Sequence, residues 1–312
     1  MRSVTVLYTG GTIGMVPGPD GLGPDTGFEA AFRAALPTAQ FDWIDMPKLL
    51  DSSLMGPADW VAIADILRDI SGGIVVLHGT DTMAYTAAAL SFLLRELDAP
   101  VVLTGSQIPM QSEASDALTN VTLALDVAAN SPRAEVMIAF GGVVLRGNRA
   151  VKQHAQEFVA FGSPNHPALD WRAAQVYSRE LAGDWIAPVG VLKVYPGIGA
   201  EAVCGFAHLP GLVIEAFGSG NMPGEGTAFH HALKQSRDAG QEIVVVTQCG
   251  AGHVAAATYA AGASVGALGL IAGGDMVTSA AVVKLGWLLA QGLRGEPLAQ
   301  AMMSPVVGEV SA

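Results

Sequence analysis

The sequence predicts an α/β protein in two parts: a larger N-terminal domain on an open, mostly parallel sheet, and a smaller C-terminal α/β domain. Three observations predict it. Short apolar runs alternate with amphipathic segments of roughly ten or more residues, and connections that long join parallel strands. The alternation breaks at AGDWIAP (182–188) and then resumes. At 312 residues the chain is longer than one average domain.

The elements follow in order. VTVLYT (4–9) is an apolar, β-branched run and reads as the first strand. MVPGPDGLGPDTG (15–27) is rich in Gly and Pro and reads as a loop, followed by a helix near 28–36. FDWIDM (41–46) is a short strand. Pro57 stands at a first helical position, where its fixed φ is already suitable, and a helix runs from it to about Ile70. IVVLH (74–78) is a strand, with a helix from Met83 to about Leu97. PVVLTG (100–105) is a strand, followed by a helix from about Ala114 to Asn130 and a strand at 135–140. Beyond the break come four more strand runs: VGVLKVY (189–195), LVIEAF (212–217), EIVVVTQ (242–248) and GLIAG (269–273). Helices fit between them, and another at about 276–291. The expected division is therefore 1–183, a linker at 184–188 and 189–312.

Composition excludes several classes. Apolar residues make up 51% and charged residues 14%, ample for a large core and incompatible with general disorder. The 38 glycines exceed the usual share of about 7%, without a G-X-Y period, so they mark tight turns and close backbone approaches. A net charge of −12 repels phosphate backbones, so no nucleic-acid partner is expected. Cys204 and Cys249 form neither a disulfide framework nor a C-x-x-C, and read as two small buried hydrophobes. The first strand begins by Val4, which leaves no room for a signal peptide, and cytoplasmic residence is expected. From Ile243 to Gly274 there is no charged side chain, long enough to span a bilayer. Thr247, Gln248, His253, Thr258, Ser264 and recurrent Gly interrupt it, so it reads as a buried strand–loop–strand, with no membrane partner.

Several chemistries are missing. No Lys precedes Ser or Thr, so no P-loop exists. There is no G-x-S-x-G elbow, and TGGTIG lacks the spacing of a dinucleotide fingerprint. No H-E-x-x-H or paired Cys/His spacing supports a metal, and His230 and His231, being adjacent, fall on different helix faces.

What remains lies just after the carboxyl ends of predicted strands, where open parallel sheets bind ligands. VLYTGGTIG (6–14) ends in a turn bearing Thr12. A threonine hydroxyl becomes a nucleophile when a neighbour takes its proton, and its β-branch helps aim it; alone in a Gly-rich turn it more often bonds the backbone. GGIVVLHGTDTM (72–83) ends in Thr80 and Asp81. That carboxylate can receive a substrate ammonium, or can simply cap the next helix. Lys152 in LRGNRAVKQH (145–154) can serve a threonine as a base if desolvated, or be an ordinary surface lysine. Ser52 and Ser53, before the helix at Pro57, offer hydroxyls and N–H groups to a carboxylate, or cap that helix. Ser106 in TGSQIP (104–109) can line the same pocket, and FGSGNMP (217–223) is a similar small-residue turn.

Together these segments resemble the bacterial-type L-asparaginases, in particular the cytoplasmic type I group. The T-G-G-T-I turn (Thr9–Ile13) and H-G-T-D-T (His78–Thr82, with Gly73 before it) are its two signatures. The likeness continues through DSS-M, TGSQIP, LRGNR, YPGI (195–198), G-x-GN and TQC (247–249), over nearly the whole chain. The resemblance implies a large and a small α/β domain and no cofactor. It makes Thr12 the nucleophile on the side-chain amide, with Thr80, Asp81 and Lys152 as a second catalytic group. Asp81 matches the receiver of the substrate ammonium, Ser52 and Ser53 the contacts to its carboxylate. Asn221 matches a residue lent by a neighbouring subunit, which implies a homodimer or homotetramer acting on a small amino-acid substrate. Two departures stand out. Leu22 occupies the place of the family's loop tyrosine, and Tyr8, inside the first strand, is a poor substitute. Cys249 matches a position tied to effector binding in some members, but Glu215 stands where a basic residue is expected.

The expected activity is conversion of L-asparagine to L-aspartate and ammonia through a threonine acyl-enzyme. The alternatives are a broader glutaminase-asparaginase, the ammonia-producing component of a tRNA-dependent amidotransferase, and a non-catalytic amino-acid binder motivated by Leu22.

Overall fold

The structure is a computed structural model and describes residues 2–18, 21–25, 27–94, 97–174, 183–255, 266 and 268–311. The chain divides into two compact units, Met1–Arg179 and Glu180–Ala312.

The first unit is built on β1 (Val4–Tyr8), β4 (Asp42–Asp45), β5 (Gly73–Leu77), β6 (Val101–Thr104), β7 (Val136–Phe140) and β8 (Val143–Arg146). Their order is β4-β1-β5-β6-β7-β8, parallel throughout except for the antiparallel β7–β8 pair. The central strands are buried along their whole length, which is why they read as continuous apolar runs rather than alternating ones. Val6, Tyr8, Val75, Leu77, Val102 and Met137 share a core with α1 (Phe28–Ala35) and α4 (Ala117–Asn130), which supply Phe28, Phe32, Val121 and Ala124. An aromatic cluster of Tyr8, Phe28, Phe32, Phe41 and Trp43 fills the β1–β4 end of this core, with Tyr8 and Phe28 centroids 5.0 Å apart. Helix α3 (Met83–Leu93) packs on β6 and β7 and is apolar on nearly every face, and α2 (Pro57–Arg68) packs on α3.

The second unit has four parallel strands in the order β11-β12-β13-β14: Val189–Lys193, Gly211–Ala216, Glu242–Thr247 and Ile271–Ala272. Leu212, Ile214, Ile243 and Val245 form a core with Phe229 and Leu233 of α6 (Ala228–Asp238), beside α5 (Ala200–Cys204). Helix α7 (Thr278–Ala290) packs on β11, β12 and β13, and α8 (Gly295–Met303) packs on α7. On α7, Lys284 is completely buried; its Nζ donates to Met302 O (2.8 Å) and Ser304 O (2.7 Å) and pairs with the equally buried Glu309. Glu309 in turn accepts the N–H groups of Val306 and Val307.

The predicted fold class is the observed one, with local corrections. The 15–27 loop contains an antiparallel hairpin, β2 (Met15–Gly18) with β3 (Gly21–Pro24), pairing Val16 with Gly23 and Pro17 with Leu22. Its Gly and Pro content conceals any alternation. Strand β8 has no counterpart among the predicted elements, although Gly141 and Gly142, at φ of 58° and 79°, form the two-residue turn that returns the chain beside β7. Helix α4 starts three residues late because Ala114 stands at φ 60°, outside helical space. Helix α3 ends at Leu93, where Leu94 turns extended; residues 95–96 lie outside the described residues. Helix α8 has no counterpart among the predicted elements either. Cys204 and Cys249, expected inside, are both exposed: one ends α5 and the other follows the end of β13, beyond the apolar stretch of each element. The expected strand–loop–strand at 243–274 keeps its two strands, while 256–265 and 267 lie outside the described residues. Among the described residues no helix is long and apolar enough to cross a membrane. The expected linker 184–188 is irregular, and residues 175–182 before it lie outside the described residues.

Candidate active site

Neighbouring strands β1, β5 and β6 deliver three turns at their carboxyl ends. After β1 the chain passes through Gly10 and Gly11, at φ of 112° and 89°, into a 3-10 turn, Thr12–Gly14. Side chains rarely adopt these angles, and space forbids them as well. A Cβ on Gly11 would come within 3.0 Å of the Gly79 backbone, and one on Gly10 within 3.0 Å of Leu50. A Cβ on Gly79 would in turn strike the Ser52 side chain. The segments around residues 11 and 79 therefore meet main chain to main chain, with the Ser52 side chain against Gly79, and Thr12 and Thr80 stand one residue beyond that crossing.

Hydrogen bonds hold the meeting point. Leu50 N donates to Thr9 O (3.0 Å), and Thr9 Oγ1 donates to Leu77 O (2.9 Å). Thr82 Oγ1 donates to Ser52 O (2.7 Å). The His78 ring is fully buried; Nδ1 lies 2.7 Å from Gly79 O, and Nε2 has no partner among the described residues. Burial pushes this imidazole down to about 4 against a weaker opposing pull from the Gly79 carbonyl, so it is neutral near pH 7.

Lys152 lies in β9 (Val151–Lys152), which pairs with β10 (Phe161–Gly162). Its Nζ donates to Thr80 Oγ1 and to Asp81 Oδ1, both at 2.8 Å. Thr80 is buried, whereas the Asp81 side chain is 63% exposed and the Lys152 side chain 18%. An ammonium is thus held between a buried hydroxyl and a carboxylate open to an incoming ligand.

The serines divide. Ser52 is buried and Ser53 exposed in a 3-10 turn, Ser52–Leu54. The Ser53 N–H is taken by Asp51 Oδ1 (2.9 Å), so the backbone donor expected for a carboxylate is already engaged. Ser106 is buried and donates to Ile108 O (2.6 Å) within its own loop. Gln107, one residue on, is the residue of that loop that reaches the site: its Oε1 accepts from Thr80 Oγ1 (3.4 Å) and its Nε2 donates to Glu157 O (3.1 Å). Sequence reasoning selected its hydroxyl neighbour instead. Asn221 lies in the second unit, in the turn after β12, where its N–H bonds Phe217 O (2.8 Å) and its Oδ1 is buried without a partner among the described residues.

Tyr8 is buried with its hydroxyl against Gly14 and without a partner among the described residues; burial, then Asp25 and Asp45, push its phenol upward. Leu22, in the hairpin, is 54% exposed. A cavity of about 920 Å³ lined by Arg2, Arg33, Phe41, Asp42 and Asp126 opens at the amino ends of β1 and β4, the opposite ends of the strands. Among the described residues no group of His, Cys, Asp or Glu is arranged to hold a metal ion.

Comparison with known proteins covers the whole chain. Residues 3–181 match the family described as Asparaginase, N-terminal, and 188–302 the Glutaminase/Asparaginase C-terminal domain. The chain is 40% identical to L-asparaginase 1 of Escherichia coli, covering 99% of this chain and 98% of that one. The solved L-asparaginase I from Vibrio cholerae superposes with a TM-score of 0.88 at 36% identity, covering 100% of this chain and 99% of that one. The thermostable L-asparaginase from Thermococcus kodakarensis gives 0.86 at 29% identity, with 99% of each chain covered.

Proposed function

The chain belongs to the asparaginase family, and from that premise we propose that it hydrolyses the side-chain amide of L-asparagine to L-aspartate and ammonia. One observation carries the reading: the Thr12 turn crosses the Thr80 turn at Gly11 and Gly79, while Lys152 joins Thr80 to Asp81. That arrangement supplies two hydroxyls, one cation and one exposed carboxylate around the ends of adjacent strands.

In the proposed reaction Thr12 Oγ1 attacks the amide carbon and loses its proton, and the C–N bond breaks as the nitrogen leaves, protonated, as ammonia. A water then adds to the acyl ester, the C–O bond breaks, and Thr12 recovers its proton. Thr80, with Lys152 donating to its oxygen, supports proton transfer and the oxyanion region. Asp81 receives the α-ammonium, and the Ser52 and Ser53 hydroxyls make up the carboxylate side. Asparagine is a zwitterion, so both charges need partners if the site is to exclude water. Such positioning removes roughly 7–11 kcal/mol of barrier, and each oxyanion donor about 2.7–4 kcal/mol. No cofactor enters this scheme. The likeness of Asn221 to a residue lent by a neighbouring subunit supports completion of the site by a second copy, hence a homodimer or homotetramer, and we place the enzyme in the cytoplasm with the type I group.

Thr12→Ala tests the proposal. It should abolish ammonia release from asparagine while leaving the unfolding midpoint unchanged; undiminished release would reject this nucleophile. A second reading, a broader glutaminase-asparaginase or an amino-acid binder without turnover, is favoured by Leu22, which offers no proton acceptor in the hairpin. Parallel assays with asparagine and glutamine, beside calorimetry with L-aspartate, separate these readings.

A further inference from the structure

The loop after β6 touches both threonine-bearing turns and is itself held from below. Met110 N donates to Ile13 O (2.9 Å), next to Thr12, and the Gln107 amide oxygen accepts from Thr80. The loop's own fastening is Asp116, buried ahead of α4. Its carboxylate accepts Gln107 N (3.0 and 3.1 Å) and Ile108 N (3.2 Å). Asn120, one helical turn on and also buried, donates Nδ2 to Asp116 Oδ2 (2.9 Å) and to Gly105 O (3.0 Å), and accepts Gly141 N on its Oδ1 (2.9 Å). Asp116 therefore does not cap α4 with its side chain, although it sits at the cap position. Its bonds all run to the loop or to the residue that locks it.

We infer that Asp116, tethered by Asn120, is a positioning residue for the reaction: it fixes the 105–110 loop, and through it sets the Thr12 turn and the Thr80 hydroxyl in register with each other. This rests on the proposed amidohydrolase reading for its effect on rate, and on hydrogen bonds alone for the coupling between the two turns. A carboxylate is the right group here, because the donors converging on it leave no place for the N–H of an amide.

The test is Asp116→Asn, which keeps the shape and turns one acceptor into a donor. Turnover of asparagine is divided by the number of L-aspartate sites per chain counted by calorimetry, so that loss of folded protein does not register. Amide hydrogen exchange is followed at 9–14 and 105–110. The expected result is a fall of roughly tenfold or more in turnover per site, with exchange quickened in both segments. Unchanged turnover per site in an active parent, or faster exchange confined to 105–110, overturns the inference. If the parent protein itself releases no ammonia, the amidohydrolase reading fails, and the exchange pattern alone decides whether Asp116 couples the two turns. Should Asp116→Asn not fold, Asn120→Ser removes the tether, leaves the carboxylate in place and is read in the same way.

Discussion

Lys152 shows how much chemistry one side chain concentrates. Its ammonium satisfies Thr80 Oγ1 and Asp81 Oδ1 at the same 2.8 Å, so its loss frees the hydroxyl and the carboxylate together. Lys152→Met keeps the stem and removes the charge. The expected outcome is a fall of roughly a hundredfold to ten-thousandfold in kcat, read as ammonia release at saturating asparagine, with little change in the urea midpoint. A partly exposed pair of this kind contributes little to stability. At this scale the sequence was readable where residue type singles out groups that the fold brings together, Thr80, Asp81 and Lys152. It was unreadable where geometry chooses between neighbours. Ser106 and Gln107 are adjacent, and by residue type the hydroxyl reads as the better ligand; the backbone turns Ser106 into its own loop and sends Gln107 to Thr80. The role of Asp116 was hidden for another reason: a helix predicted from about Ala114 takes this acid into its first turn, where it reads as an ordinary helical residue.

The elements that matter are the turns, and the tightest of them has no tolerance. Gly11 combines a φ of 89° with a neighbour, the Gly79 backbone, that leaves no room for a methyl group. Gly11→Ala should destabilise the first unit by about 1–3 kcal/mol in urea melts and lower ammonia release far more than that loss of folded protein explains. The parallel strands were legible because strands buried on both faces are continuously apolar, and amphipathic segments between them dictate direction. The antiparallel pairs β2–β3, β7–β8 and the short β9–β10 were not. In β2–β3, Gly and Pro replace the alternating side chains by which a strand is recognised, although the backbone still pairs. In β7–β8, the Gly141–Gly142 turn is a recognisable signal, but the run that follows it, VVLR, merges with a basic segment that reads as chemistry rather than as a strand. Leu22 stands in the first of these hairpins, so the departure from the family pattern is borne by an exposed strand rather than a formless loop.

For the whole molecule, acid is the informative stress. His78 titrates at about 4 in the folded protein and 6.5 otherwise, so the unfolded chain binds the extra proton between those values. Stability is therefore full above pH 6.5, declines as pH falls from 6.5 towards 4, and loses roughly 3 kcal/mol from this group in all. His166 is also shifted downward, first by burial and then by neighbouring Arg146 against the pull of Pro167 O, and adds to the same decline. Urea melts near neutral pH and near pH 4 should show this slope, and His78→Gln should flatten it; an equal slope in both proteins would remove His78 as its cause. The charge balance of −12 was open to reading from composition, whereas the neutral, walled-in imidazole that opens the second signature was not. The buried Lys284–Glu309 pair has a consequence for synthesis. The chain leaves the ribosome from its N-terminus, so residues 1–179 of the first unit emerge before any of the second. Lys284 waits for its counter-charge until residue 309 has emerged, and an ammonium does not enter apolar surroundings alone. The first unit can thus mature during translation, while the second completes its interior only after residues 302–309 have emerged.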